Sequence, residues 1–93
     1  MRRIAEIDVS EIQTSEQLHH LLSTELRFPG YYGNNWDAFD ECISDSEVDL
    51  PALVRVRGIT ALSRVLPRDA ELLRRCASSP DAIPSFEWLP QGE

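Results

Sequence analysis

The chain has 93 residues, of which 42% are hydrophobic and 27% are charged, so we predict one small domain over residues 1–93 and exclude both two ordinary domains and wholesale disorder. No apolar run approaches the roughly 20 residues that span a bilayer, and no export signal is visible, so we expect a cytoplasmic protein with no membrane contact. The two cysteines, Cys42 and Cys76, form no C-x-x-C pair. Because metal and redox motifs are also absent, we expect neither a metal nor a cofactor.

The net charge of −7 is concentrated in one part of the chain. Between residues 28 and 54 there are six acidic residues and no basic residue. Such a local negative field repels nucleic acid and accelerates the encounter with a basic protein. We therefore predict a basic protein partner and no direct binding of DNA or RNA.

The chain begins with the pattern of a strand and then that of a helix. Ala5, Ile7 and Val9 alternate with acidic residues, which is the period of a strand with one buried face. Thr14, followed three residues later by a glutamine, is typical of a capping box. A stripe of leucines at helical spacing then predicts a helix over about 15–26.

A second helix is predicted after a turn that contains one proline and two glycines. Asn34 is its expected N-cap, and the helix should cover roughly 35–45. At about 100° per residue its apolar and acidic side chains fall on opposite sides. The apolar side carries Trp36, Phe39, Cys42 and Ile43, and the acidic side carries Asp37, Glu41 and Asp45. Like charges four positions apart destabilise an isolated helix by roughly 0.2 to 0.5 kcal/mol, so stability alone does not favour this arrangement.

The second half of the chain predicts a strand, two short helices and a terminal strand. β-Branched residues over 50–57 favour a central strand, and Pro67 should end a short helix. An amphipathic pattern predicts another helix over 69–77, and Phe86 and Trp88 predict a short terminal strand. The resulting order requires helical crossovers, and it predicts an α/β fold with a three-stranded parallel sheet covered by about four helices.

The turn and the acidic helix together resemble a known family signature. Residues 31–43 read Tyr-Tyr-Gly-Asn-Asn-Trp-Asp-Ala-Phe-Asp-Glu-Cys-Ile, which is similar to the Tyr-Tyr-Gly-x-Asn-x-Asp-Ala-Leu-x-Asp-Cys-Leu pattern of barstar-type ribonuclease inhibitors. The resemblance implies a barstar-like fold and an intracellular bacterial immunity protein of a toxin and antitoxin pair. Such a protein is not an enzyme and has no catalytic residue. It occludes the active site of a barnase-like, guanyl-specific ribonuclease or a related RNase toxin in a 1:1 complex.

The resemblance assigns the partner contacts to the turn and the second helix. The matching positions are Tyr31, Asn35, Asp37 and Glu41, and Asn34, Trp36, Asp40 and Asp45 are further candidates. Carboxylates at these positions would satisfy the Arg, Lys and His donors that hold a substrate phosphate in a ribonuclease. Glu41 stands where the family usually has aspartate, and its additional methylene either suits a differently shaped cleft or weakens binding to the usual enzyme.

Other interpretations of the acidic helix remain open. The helix could belong to an acidic adaptor or regulatory module that docks a basic protein other than a nuclease, or it could be a solvated face with a purely structural role. Asp37 and Glu41 could also act as paired acids in a glycosidase, although no second set of substrate-binding groups is present. Inhibition and docking predict different results when nuclease activity is titrated with the protein.

Two histidines and one cysteine are interpreted as structural residues. The adjacent His19 and His20 point in different directions on a helix and cannot chelate one metal, so we expect both to be exposed. Cys42 lies on the packing side of the second helix, and no His is within helical reach of it. We therefore expect a small buried residue rather than a catalytic thiol.

Overall fold

The computed structural model describes residues 3–30 and 32–89. Strands and helices follow one another as β1 (Ile4–Asp8), α1 (Ser15–Glu25), α2 (Trp36–Ile43), β2 (Leu53–Arg57), α3 (Ile59–Val65), α4 (Pro67–Ala77) and β3 (Ser85–Leu89). The strands pair in the order β1–β2–β3, and both pairings are parallel. The predicted α/β fold with a three-stranded parallel sheet and four helices is therefore confirmed. That residues 1–93 form one domain stays a prediction.

The sheet has one buried face and one charged face. The strands lie side by side in their order along the chain. The two crossovers, β1 to β2 and β2 to β3, therefore lie on the same side of the sheet if both have the usual right hand. On that side Val54 and Val56 of β2 are fully buried. On the other side Arg55 forms ion pairs with Glu6 at 3.5 Å and with Glu87 at 2.9 Å. We call these three residues the sheet ladder.

The core lies between the buried face of the sheet and the helices, and every helix contributes to it. Fully burying one Leu, Ile or Phe side chain contributes about 1.5 to 3 kcal/mol relative to leaving it exposed. The fully buried large side chains of the helices are Leu18 and Leu22 of α1, Phe39 and Ile43 of α2, Leu62 of α3 and Leu73 of α4. Since α2 is anchored through its apolar side, its acidic side faces away from the core.

Helix α1 confirms the predicted start, with one change in the capping box. Thr14 is the N-cap, and its Oγ1 accepts a hydrogen bond from the Gln17 backbone amide at 3.1 Å. The Gln17 side chain accepts its hydrogen bond from the backbone amide of Gln13 at 2.8 Å. This amide lies one residue before the position that a regular capping box uses.

Helix α4 begins at Pro67, two residues before the predicted 69–77. Proline is favoured at the first helical position, because its fixed φ suits the helix and its missing N–H would have no intrahelical acceptor there. The same residue prevents α3 from continuing, and α3 ends at Val65. The proline thus separates two helices and also starts the second of them.

The part of the chain that the structure describes offers neither a membrane-spanning helix nor a metal site. None of the helices they form has the length and apolar character that crossing a membrane requires. Within the same ranges, no group of three or more His, Cys, Asp and Glu side chains is arranged to hold a metal ion.

Candidate functional site

Asn35, and not Asn34 as predicted, caps the N-terminus of α2. The Asn35 Oδ1 accepts a hydrogen bond from the Ala38 amide at 2.8 Å, and its Nδ2 donates to the Gly33 carbonyl at 3.2 Å. Asn34 has a φ of 55°, in the left-handed region that asparagine tolerates. An N-cap that bonds through its side chain typically has extended backbone, which Asn35 adopts with φ −140° and ψ 167°, so the cap moves one residue along the chain.

Helix α2 ends at Ile43, about two residues earlier than predicted. Ser44 is the C-cap, and its hydroxyl donates to the Asp40 carbonyl at 2.9 Å. Asp45 then forms an Asx turn, in which its Oδ1 accepts a hydrogen bond from the Glu47 amide at 2.9 Å. These side chains bond to nearby backbone in place of further helical turns. Asp45 therefore lies just beyond the helix and not within it.

Helix α2 separates apolar from acidic side chains, as its periodicity predicted. Phe39 and Ile43 are fully buried and Cys42 is 5% exposed. The opposite side carries Asp37, Asp40 and Glu41, and Asp45 follows just after the end of the helix. We call these four carboxylates the acidic surface. The first three are exposed and Asp45 is half-buried.

The acidic surface is electrostatically uncompensated among the residues that the structure describes. No Arg or His side chain in residues 3–30 and 32–89 lies within ion-pair distance of its four carboxylates. Asp49, in the same acidic segment, does have ion-pair partners. Its Oδ2 lies 3.1 Å from an Arg3 nitrogen and 3.7 Å from an Arg27 nitrogen. The charge of Asp49 is therefore partly neutralised, whereas that of the acidic surface is not.

A depression of about 490 Å³ lies beside the acidic surface. Its lining comprises Tyr32, Ala38, Glu41, Cys42, Ser44 and Asp45. The lining combines an aromatic ring and small side chains with two carboxylates. It can therefore receive a basic side chain whose aliphatic part contacts the apolar wall and whose charged end meets the carboxylates.

Cys42 contributes to this depression as a neutral thiol. Burial raises its pKa, and the negative charges of Asp45 and Glu41 raise the pKa further. Because the thiolate is the nucleophilic form, a raised pKa makes this cysteine less reactive at neutral pH. The prediction that Cys42 is a small buried residue is confirmed.

Aromatic rings support the turn and the start of α2 from below. The Phe28 ring centroid lies 4.8 Å from that of Tyr32 and 5.7 Å from that of Phe39, and Trp36 lies 5.2 Å from Phe39. Tilted pairs of this kind contribute about 0.5 to 1.5 kcal/mol each beyond the area they bury. Tyr32 is therefore a packing residue, whereas Tyr31 lies outside the described residues.

His19 is buried, so the expectation that both adjacent histidines are exposed was wrong for one of them. It is 3% exposed, and a hydrogen bond of 2.6 Å joins its Nδ1 to the Tyr32 hydroxyl. Burial lowers the pKa of His19, and the negative charge of Asp69 opposes that shift. The sequence contained the signal, because His19 lies three residues before Leu22 and therefore on the leucine face. His20 is exposed as expected.

The predicted partner-binding residues occupy different environments. The four carboxylates of the acidic surface lie together, and Asn34 is exposed near the start of α2. The Asn35 side chain is engaged in capping. Trp36 is half-buried, and its indole N–H donates to Asp69 of α4 at 2.8 Å. Their contacts with a partner stay predictions.

Two comparisons with known proteins relate the chain to ribonuclease inhibitors. A stretch of 51 residues is 45% identical to a protein of Bacillus subtilis (strain 168) named "Putative ribonuclease inhibitor YrdF". The aligned stretch covers 55% of this chain and 54% of that relative, about half the length of each. A family model described as "Barstar (barnase inhibitor)" matches residues 2–82, which include α2 and the turn before it. The chain therefore belongs to the barstar family.

Proposed function

We propose that this protein inhibits a ribonuclease by placing its acidic surface in the enzyme's active site. The observation that supports this proposal best is the contrast between the two sides of α2. One side is anchored by the fully buried Phe39 and Ile43, and the other holds four carboxylates with no ion-pair partner among the described residues. Membership of the barstar family supports the same function.

The proposed inhibition follows from the chemistry of a ribonuclease site. Such a site must be cationic to hold a phosphodiester, so carboxylates can satisfy the same Arg, Lys and His donors without offering a bond to cleave. Two unit charges 4 Å apart attract by about 4 kcal/mol at an effective dielectric constant of 20. Desolvation cancels part of this gain. Charge complementarity therefore contributes most to the association rate and to selectivity.

The acidic surface is preorganised for this role. The Asn35 cap fixes the first turn of α2, and buried side chains fix its inner side. Binding then requires little ordering of the backbone, which removes one of the main free-energy costs of association.

The depression beside Glu41 and Asp45 is the proposed seat for a basic side chain of the enzyme. Both carboxylates and the half-buried Tyr32 belong to its lining. An arginine suits this site, because its planar guanidinium can bond to two carboxylate oxygens at once. The longer side chain of Glu41 selects an enzyme whose cleft differs from that of the usual family partner.

The finer points of the proposal concern the partner and the setting. The partner is a barnase-like, guanyl-specific ribonuclease or a related RNase toxin, bound in a 1:1 complex through Asp37, Glu41 and their neighbours. The inhibitor is itself no enzyme. It acts as an immunity protein in the cytoplasm of a bacterium that makes the nuclease.

Titration of nuclease activity tests the proposal. A fixed concentration of a purified guanyl-specific ribonuclease is mixed with increasing amounts of the chain, and cleavage of a fluorescent RNA is measured. We expect activity to fall linearly and to vanish at one molecule of the chain per enzyme. Binding in calorimetry with cleavage unchanged would instead indicate an adaptor, and RNA cleavage by the chain alone would indicate an enzyme.

A further inference from the structure

A hydrogen-bonded cluster joins the start of α2 to α1 and α4, through residues that are distant in sequence. The Trp36 indole N–H donates to Asp69 Oδ1 at 2.8 Å, across 33 positions of the chain. The second oxygen of the same carboxylate, Oδ2, accepts a hydrogen bond from the Ser15 hydroxyl at the start of α1. One half-buried carboxylate in the first turn of α4 thus connects two other helices.

The Trp36 ring is also held by its aromatic neighbours. Its ring centroid lies 4.6 Å from that of His19 and 5.2 Å from that of Phe39, and both neighbours are buried. An indole has a single N–H donor, and in Trp36 this donor is used by Asp69. Turning the ring would therefore break a charge-assisted hydrogen bond in a place that is partly shielded from water.

Trp36 lies at the start of the helix that carries the acidic surface. It is the first residue of α2, between the N-cap Asn35 and the exposed Asp37. Because Asp37 follows Trp36 directly in the same turn, contacts that hold the Trp36 side chain also hold the backbone from which the Asp37 carboxylate leaves the helix. Charge-assisted hydrogen bonds depend strongly on such geometry.

We propose that Asp69 is a positioning residue for partner binding: it holds Trp36 and thereby fixes the first turn of α2, which carries Asp37. This inference rests on the proposed function, because the partner is the ribonuclease proposed above. A carboxylate in the first turn of a helix also interacts favourably with the helix dipole. An interaction with the dipole alone does not require either oxygen of Asp69 to bond to another helix. The positioning role and the dipole role therefore predict different results for Asp69→Asn.

Two substitutions of Asp69 separate geometry from charge. Asp69→Ala removes the acceptor of the indole hydrogen bond and should weaken inhibition about tenfold. Asp69→Asn removes the same charge but keeps an oxygen acceptor, and it should retain inhibition to within about threefold. If Asp69 acted through its charge on the partner, both substitutions would weaken inhibition equally, and that result would overturn the proposal.

The tryptophan indole resonances give a readout that needs no partner. The chain has two tryptophans. The other one, Trp88 of β3, has the Arg74 guanidinium carbon 5.0 Å from its ring centroid. Because its environment differs from that of Trp36, its indole resonance serves as an internal reference. In a spectrum of the ¹⁵N-labelled protein, Asp69→Ala should shift the Trp36 indole resonance and accelerate its hydrogen exchange, whereas Asp69→Asn should leave it close to its original position. An unchanged Trp36 resonance in Asp69→Ala would contradict the proposal.

A double-mutant cycle tests whether Asp69 acts through Trp36. Trp36→Phe keeps a ring in the aromatic cluster but removes the donor, and it should weaken inhibition by a factor similar to that of Asp69→Ala. The double variant should then be no weaker than either single variant, since both remove the same bond. Additive losses would show that Asp69 acts by another route and would overturn the proposal.

Glu71 provides the matched control. It lies on α4, is exposed, and pairs with Arg75 at 3.1 Å. Glu71→Ala removes the same charge from the same helix and should change inhibition by no more than about twofold. A shifted indole with unchanged inhibition in Asp69→Ala would overturn this inference alone. Failure of the unmodified chain to inhibit the ribonuclease would overturn the proposed function and this inference with it.

Discussion

Exposed carboxylates occur both on the sheet ladder and on the acidic surface of α2, but their surroundings differ. In the sheet ladder, Glu6 and Glu87 lie on either side of Arg55, which pairs with both. Opposite charges on neighbouring strands stabilise the sheet. The carboxylates of α2 have no such cation among the described residues, and Asp37 and Glu41 repel each other across one helical turn. Pairing, rather than the number of charges, therefore distinguishes a structural surface from a candidate binding surface.

The largest expected effect concerns the buried side of α2, which holds the acidic surface in place. Phe39→Ala should lower the free energy of unfolding by about 3 to 5 kcal/mol, because it leaves a cavity where a fully buried ring had been. Urea denaturation followed by circular dichroism measures this change. Phe86→Ala, at a half-buried position of the edge strand β3, is the control and should cost less. Equal losses at the two positions would contradict the anchoring role of Phe39.

The next largest effect concerns ribonuclease binding, for which the acidic surface and the sheet ladder should differ. Asp37→Ala and Glu41→Ala should each weaken ribonuclease binding by more than about 2 kcal/mol, as expected for a charge at the centre of an interface. Glu6→Ala removes an equal charge from the opposite side of the sheet and should be nearly neutral for binding. Inhibition constants measure all three. Similar small losses at these positions would mean that α2 is not the interface.

Salt provides a second test of the same substitutions. Exposed charges are screened beyond about 8 to 10 Å at ordinary ionic strength, so raising salt should slow association with the ribonuclease. The association rate of Asp37→Ala should depend less on salt than that of the unmodified chain. A rate that does not change with salt would contradict electrostatic steering by the acidic surface.

A moderate effect is expected at His19, beneath the turn. Because burial lowers the pKa of His19 in the folded state, the folded protein binds this proton less readily than the unfolded chain does. The contribution of neutral His19 to the free energy of unfolding is fully present above the pKa of about 6.5 that histidine has in the unfolded chain. This contribution is lost as the pH falls through the lowered pKa of His19 in the folded state. His19→Asn should cost about 1 to 3 kcal/mol at pH 8, since the half-buried Tyr32 hydroxyl loses its partner.

The pH dependence distinguishes this role from simple packing. The difference in unfolding free energy between pH 8 and pH 5 should be smaller in His19→Asn than in the unmodified chain. Asp69 and Tyr32 face the imidazole, and they are unchanged in this variant. His20→Asn, at the exposed neighbouring position, should retain the original pH dependence. An equal pH dependence in His19→Asn would exclude a buried neutral imidazole.

The smallest effect is expected in the sheet ladder. Arg55→Met removes both ion pairs but keeps an aliphatic side chain. It should lower the free energy of unfolding by no more than about 1 kcal/mol, because surface ion pairs contribute little. Ribonuclease binding should not change. A large loss of binding would place the interface on the charged face of the sheet and contradict the comparison between the two surfaces.

Three elements were predicted from a residue pattern that continues along most of their length. The leucine stripe of α1, the two-sided pattern of α2 and the β-branched run of β2 each repeat over a full element, and all three were predicted. In these elements the predictions differ from the structure at the boundaries. Asn34 adopts a left-handed φ and Ser44 bonds back to the helix, so local side-chain and backbone choices moved the ends of α2 by one or two residues.

The amino-acid sequence by itself determined the order of strands and helices, the opposite placement of apolar and acidic side chains on α2, and the family signature over residues 31–43. Each of these follows from residue types at short, regular spacing. Only the tertiary structure decided that Asp49 pairs with Arg3 while Asp37 has no ion-pair partner in residues 3–30 and 32–89, and that Trp36 donates its indole hydrogen bond to Asp69. These facts depend on which distant segments the sheet and helices bring together, and spacing along the chain does not encode such contacts.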